Sequence, residues 1–233
     1  MSDKKKNETL DIDAKLSEEF SRAESFVQKN GKTLGIIGVV LLVLVGGYFA
    51  FRQFYLVPQN EEASALLFPT EQYFAQDSFN MVINGDGTNP SAVEIADDYG
   101  MTKAGNLAAA YAGISYLHLG QFEEALDYLS KFDADDRLVS PMLTGLTGDA
   151  YVEMDDVEKG ADYYMKAARK QKNDFSTPIW LKKAGLAFEK LGQPEKAVEC
   201  YEEIKKEYSK SAEAQDIDRF LFRAKAAAGD LDF

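Results

Sequence analysis

Apolar positions along the chain follow a helical rhythm that is broken once. From Asp11, the residues Ile12, Leu16, Phe20, Ala23 and Val27 recur every three to four positions with charged residues between them, the spacing of one helix face. This pattern predicts a short amphipathic helix, which Asn30 and Gly31 punctuate, and the polar stretch MSDKKKNET before it predicts disorder. The rhythm then disappears. Thr33 to Phe51, TLGIIGVVLLVLVGGYFAF, holds no charged residue and is bracketed by Lys32 and Arg52. At about 1.5 Å of rise per residue it reaches roughly 28 Å as a helix, against a hydrocarbon core about 30 Å thick. The segment therefore predicts a single transmembrane helix, with Tyr48, Tyr55 and the neighbouring phenylalanines as an interfacial anchor.

Charge on the flanks orients the span. Lys15, Arg22, Lys29 and Lys32 precede it, whereas only Arg52 follows closely, with Glu61, Glu62 and Glu71 beyond. The positive-inside rule places the amino terminus in the cytoplasm and everything after the span outside. A cleaved signal peptide is the competing reading. It fits poorly, because the charged leader is long and no small-x-small cleavage site follows Phe51.

Helical rhythm resumes after the span and becomes a repeat. Three stretches align: NLAAAYAGISYLHLGQFEEALDYLSKF from Asn106, PMLTGLTGDAYVEMDDVEKGADYYMKA from Pro141 and PIWLKKAGLAFEKLGQPEKAVECYEEI from Pro178, offset by 35 and 37 residues. Each places a glycine (Gly113, Gly148, Gly185) where two helices must approach, then an aromatic residue (Tyr116, Tyr151, Phe188) to fill the space between them. A turn at Gly120, Asp155 or Gly192 leads to a second small residue (Ala125, Gly160, Ala197) and a bulky one that closes the core (Leu129, Tyr164, Tyr201). One such helical pair cannot bury both its faces, so neighbours must stack and the ends must be capped.

These features resemble the tetratricopeptide repeat, with Asp155 departing from the usual turn glycine. The resemblance implies an all-α solenoid of helical hairpins, right-handed, whose first helices line a concave surface. The expected organisation is a cytoplasmic tail over 1–32, the span over 33–51, and a linker with a degenerate first repeat over 52–105. Repeats over 106–139, 141–174 and 178–211 follow, then a capping helix within 212–233. Glu61 to Ile83 reads as one helix interrupted at Pro69, and NGDGTNP from Asn84 as a turn-rich loop. Ser91 with Glu94 reads as the start of another helix, and Ala212 to Ala228 as a final one that Gly229 ends and that buries Ile217, Leu221 and Ala224.

Composition narrows the chemistry. The formal charge is -13, and residues 1–51 balance seven Lys or Arg against seven Asp or Glu, so the excess acid lies beyond the span. An acidic domain repels phosphate backbones, which argues against nucleic acid as a partner. Cys200 is the sole cysteine, which rules out an intrachain disulfide, and it reads as a helix-packing residue. His118 is the sole histidine and has no companion at metal-ligand spacing. The loop NGDGTNPSAVE departs from a calcium loop, with Asn89 at the glycine position and Ile95 at the twelfth. No catalytic residue, metal or cofactor is expected, and enzyme activity is disfavoured.

Protein binding is the expected function. On the geometry the resemblance implies, the concave face is built from Tyr111, Ile114, Leu117 and His118, then Met142, Asp149 and Glu153, then Lys182, Leu186 and Glu189. The alternative for each of these is core packing against the next repeat. A clamp for a carboxylate tail is disfavoured, since Ala110 and Ile114 occupy the places of its first members.

The whole arrangement, with FVQKNGK at Phe26 to Lys32 leading straight into a single span and repeats beyond, resembles the YfgM-type ancillary subunit of the SecYEG translocon. That resemblance implies a bacterial inner-membrane protein with a periplasmic repeat domain. The Sec translocon and a periplasmic isomerase-like chaperone are then its expected partners, and newly exported proteins its clients. The competing expectation is a scaffold of another cell-envelope assembly or secretion machine.

Overall fold

The computed structural model describes residues 2–134 and 136–230, with side chains from residue 26 onward and that of Glu24. The chain separates into two units, residues 1–57 and 58–233. Among the described residues every regular element is helical, and the architecture is an all-α solenoid after one long N-terminal helix.

The first unit is helix α1, Ser2–Phe51, followed by a π-helical turn, Arg52–Leu56. Helix α1 runs through Asn30 and Gly31 without a break and already includes the polar residues after Met1, so the predicted disorder and the predicted punctuation are both corrected. The physical reason is length: the nucleation cost is met once, and one glycine in a long helix costs only about 1 kcal/mol. The side chains of Ile12, Leu16, Phe20 and Ala23, the proposed amphipathic face, lie outside the described ones. The helix is long and apolar enough to cross a membrane, and none of its apolar window is buried. Its side chains stand open, with Leu42 74% exposed.

The second unit contains α2 (Val57–Ala75) from its second residue on, α3 (Phe79–Asn84), α4 (Ala92–Asp98), α5 (Lys103–His118), α6 (Phe122–Lys131), α7 (Val139–Glu153), α8 (Val157–Lys170), α9 (Thr177–Lys190), α10 (Pro194–Glu207) and α11 (Ile217–Ala228). Helices α5 and α6, α7 and α8, and α9 and α10 pack as hairpins. Contacts of α4 with α5, α6 with α7, and α8 with α9 stack them, and α11 covers α10. A 3-10 turn, Glu213–Asp216, leads into α11, so the final helix begins later than Ala212. Ile217, Leu221 and Ala224 are buried, and Gly229 ends the helix at φ +76°.

Each hairpin is closed by the residues the repeat pattern singles out. A Cβ on Gly113 would sit 2.8 Å from Leu129, one on Gly148 2.8 Å from Tyr164, and one on Gly185 2.3 Å from Tyr201. Only a bare backbone admits the bulky partner at that distance. Ala125 and Ala197 are fully buried on the opposite helices, and Gly160 is buried with Val152 close against it. Cys200 is buried in the largest apolar cluster, which also holds Trp180 and Tyr201. Burying side chains of this size stabilises the stack by about 1.5–3 kcal/mol each.

The turns share one conformation. Gly120, Asp155 and Gly192 lie at φ +73°, +63° and +67°. The amide after each donates to the carbonyl of the aromatic residue five positions back: Gln121 to Tyr116, Asp156 to Tyr151 and Gln193 to Phe188, all at 2.9 Å. This is a Schellman stop, which satisfies carbonyls a helix end would otherwise orphan.

A fourth copy of that turn lies upstream. Asp77 has φ +55°, and Ser78 donates to the carbonyl of Tyr73 at 2.9 Å. The register then reads Thr70, Tyr73, Asp77 and Val82, 43 residues before Gly113, Tyr116, Gly120 and Ala125. The helix break therefore falls at Asp77, not at Pro69, which sits inside α2. The second helix of this hairpin is split into α3 and α4 by an inserted loop. Asp86, where the other repeats have Leu or Tyr, holds the loop: its carboxylate accepts from the amides of Thr88 (2.8 Å) and Asn89 (2.7 Å), from Asn89 Nδ2 (2.8 Å) and from the Tyr73 hydroxyl (2.7 Å). The Asn89 amide foremost, then the Tyr73 hydroxyl, holds its carboxyl well below the usual range. Ser91 and Glu94 form a capping box at the start of α4.

Candidate functional site

The first helices of successive hairpins present equivalent positions side by side. Ile114, Asp149 and Leu186 share one position, Tyr111, Leu146 and Lys183 a second, and His118, Glu153 and Lys190 a third. Members of each set are separated by 35 and 37 residues, the repeat offsets, so the sets form ladders across α5, α7 and α9.

Between these ladders runs an open groove of about 760 Å³. Ile114, Leu117 and His118 line it from α5, and Leu146, Asp149, Val152 and Glu153 from α7. Lys183, Leu186, Ala187 and Lys190 complete it from α9, while Phe122, Val157 and Tyr164 enter from the second helices. The wall is mostly aliphatic and aromatic. Leu186 is 40% exposed, an apolar side chain left half in solvent on a regular helix.

One charged group sits in the groove wall fully partnered. Both oxygens of Asp149 lie 2.7 Å from Lys183 Nζ, and the Tyr164 hydroxyl donates to Asp149 Oδ1 at 2.6 Å. Burial first, and this bond second, push the Tyr164 hydroxyl well above its ordinary pKa. The Lys183 ammonium also stands 5.1 Å above the Trp180 ring, a cation-π distance. At the groove's edge His118 stacks on Phe79 with centroids 4.2 Å apart.

Of the residues expected on the concave face, the structure gathers Ile114, Leu117, His118, Asp149, Glu153 and Leu186. The other four lie elsewhere. Tyr111 is half-buried against Phe74, 4.7 Å between centroids, where the first hairpin meets the second. Met142 packs on the cluster around Trp180. Lys182 turns toward the cap, 2.6 Å from Asp216 and 4.7 Å over the Phe220 ring. Glu189 is held by the Arg223 guanidinium of α11, with Nε 3.1 Å from Oε1. Lys183 and Lys190 line the groove in place of their expected neighbours Lys182 and Glu189. The repeat register contains the signal for both, since stepping from Leu146 leads to Lys183 and from Glu153 to Lys190.

Comparison with known proteins agrees with this geometry. Residues 183–211, the end of α9 and all of α10, match the tetratricopeptide repeat family. Seven chains of solved structures match the fold. One is a chain of Podosopora anserina described as a kinesin light chain with nearly identical TPR-like repeats. It is 16% identical with a TM-score of 0.51, over 75% of this chain and 86% of that one, and the likeness is one of fold. No curated protein matches the chain.

Proposed function

We propose that the protein is a membrane-anchored, non-catalytic binding module that holds a protein partner in the groove between α5, α7 and α9. The observation carrying this reading is the groove itself: an open apolar channel on a tetratricopeptide-like scaffold, with Leu186 half-exposed and Ile114 and Leu117 beside it. Apolar surface of this kind suits an extended or helical polypeptide segment. The long apolar helix supports anchoring, and the Lys and Arg before the span support a cytoplasmic amino terminus.

The finer reading places the protein in a bacterial inner membrane with its solenoid in the periplasm, as an ancillary subunit of the Sec translocon. There it would work beside an isomerase-like chaperone on newly exported proteins. The test is recovery of tagged full-length protein from membranes in mild detergent, with mass spectrometry of what accompanies it. A second sample carries Ile114→Gln and Leu186→Gln. Recovery of the translocation channel or an isomerase-like chaperone, reduced by the groove substitutions, supports the reading. Recovery of a different envelope complex makes the protein a scaffold of that machine, and partners unaffected by the substitutions move the binding surface away from the groove.

A further inference from the structure

The charges around the groove indicate which segments it accepts, an argument that rests on the groove being the binding site. Two of the cations that line it are compensated in place. Lys183 is bound by both oxygens of Asp149, and Lys190 stands 3.2 Å from Asp155. Glu153 is left over: it lines the groove, is exposed, and forms no ion pair among the described residues. More unpaired carboxylates lie on the second helices. Phe122 and Val157 enter the groove from the first turns of α6 and α8, and those turns also carry Glu123, Glu124 and Glu158. All three are exposed and form no ion pair among the described residues. The one cation in these two turns, Lys159, is taken by Asp156 at 2.7 Å.

The wider field has the same sign. Residues 1–57 hold eight of the 26 Lys and Arg and seven of the 39 Asp and Glu, which leaves 18 cations against 32 anions in residues 58–233. First-turn carboxylates complement the helix dipole, so the fold carries this acid without strain. Apolar burial in the groove does not discriminate among hydrophobic segments, whereas an unpaired carboxylate in its wall and an acidic field around it do.

We propose that the groove takes a cationic amphipathic segment, with aliphatic or aromatic side chains against Ile114, Leu117 and Leu186 and with Lys or Arg facing Glu153 in the acidic field of this unit. Acidic segments of equal hydrophobicity are turned away. The field of the unit steers such a segment in before the apolar contacts form, and salt weakens that step.

The experiment uses full-length protein in phosphatidylcholine nanodiscs and labelled peptides that share one leucine pattern and differ only in carrying Lys, Glu or Ser at the polar positions. Anisotropy titrations are run beside the Ile114→Gln, Leu186→Gln protein in identical nanodiscs, which subtracts binding to lipid. The expected result is Lys-peptide binding at least about tenfold tighter than Glu-peptide binding, a ratio that shrinks at high salt and falls in Glu153→Lys. Equal binding of Lys and Glu peptides, both lost in the groove variant, overturns the charge selection and leaves the groove reading standing. If no peptide binds wild type better than the groove variant, the groove reading falls and this inference with it.

Discussion

Gly145 is the position where the stacking of one repeat on the next can be tested with a single methyl group. It lies on α7, and a Cβ there would sit 2.4 Å from two atoms of the Trp180 indole on α9 and 2.5 Å from a third. The indole has little room to retreat, being 2% exposed with the Tyr164 ring nearly parallel at 6.0 Å. Overpacking of this kind costs about 1–3 kcal/mol, and a clash with a rigid ring belongs at the upper end. Alanine in a helix interior returns about 1 kcal/mol relative to glycine. The net expectation for Gly145→Ala is a loss of about 1–2 kcal/mol, or roughly 2–8 °C in melting temperature for a unit of this size. Circular dichroism of the full-length protein in detergent measures the melt. Because Trp180 is the sole tryptophan, its fluorescence reports the same contact directly. A variant that gains about 1 kcal/mol, the full propensity benefit, with unchanged emission would refute the close approach of α7 to α9.

Other expectations concern single groups. Burial is the leading cause that pushes the hydroxyls of Tyr128, Tyr164 and Tyr201 up, Tyr128 to about 12. Above pH 10 the unfolded chain releases these protons and the folded chain keeps them, so stability falls with pH by up to about 1.4 kcal/mol per pH unit for each of the buried Tyr164 and Tyr201, and by less for Tyr128, which water reaches. Denaturant melts between pH 9 and 11.5 should show that fall and a shallower one in Tyr164→Phe; a flat profile counts against the burial. At neutral pH Tyr164→Phe should cost about 1.5–3 kcal/mol by removing a hydrogen bond to the Asp149 carboxylate, read from the same melts. Burial also pushes the Cys200 thiol up to about 12, so a colorimetric disulfide reagent should titrate no thiol in the native protein at pH 8 and one in denaturant. Asp155→Gly should stabilise by about 0.5 kcal/mol, since glycine relieves φ +63° and the exposed pair with Lys190 contributes little. A clear loss there would mean the turn depends on the Asp155 side chain.

The hairpins were legible because their closing contacts are local and periodic. Gly113, Gly148 and Gly185 could be paired with Leu129, Tyr164 and Tyr201 from spacing alone, since each pair spans only 16 residues and recurs with every repeat. The first hairpin hid the same plan behind chemistry of a different kind. Its turn holds Asp77 where glycine is expected, its closing residue is Asp86, and Pro69 is the stronger breaker by propensity. Pro69 is nevertheless carried within α2, because packing of Ala63 and Leu67 before it and of Thr70, Tyr73 and Phe74 after it fixes the helix on both sides of the lost bond. Asp86 satisfies a loop instead of filling a core, and its bond to Tyr73, with that of the Thr70 hydroxyl to the Pro90 carbonyl, ties the loop to the helix it should have packed on.

The groove was less legible because membership turns on about 100° of helix rotation per residue, a precision that apolar patterning alone does not supply. Lys182 and Lys183 show this. Lys182 points at Asp216 before the cap, and its neighbour points at Asp149 across the groove. Both partners lie 34 residues away, so a count of opposite charges at the repeat distance accepts either lysine. What separates them is the rest of the ladder: Tyr111 and Leu146 precede Lys183, whereas Ala110 and Gly145 precede Lys182. Alanine and glycine mark the position where the next repeat's side chains press in, as Trp180 does on Gly145. The small residue in one repeat thus identifies the buried face of the following ones, and Lys182 occupies that face only because the cap supplies Asp216 and Phe220 to receive it.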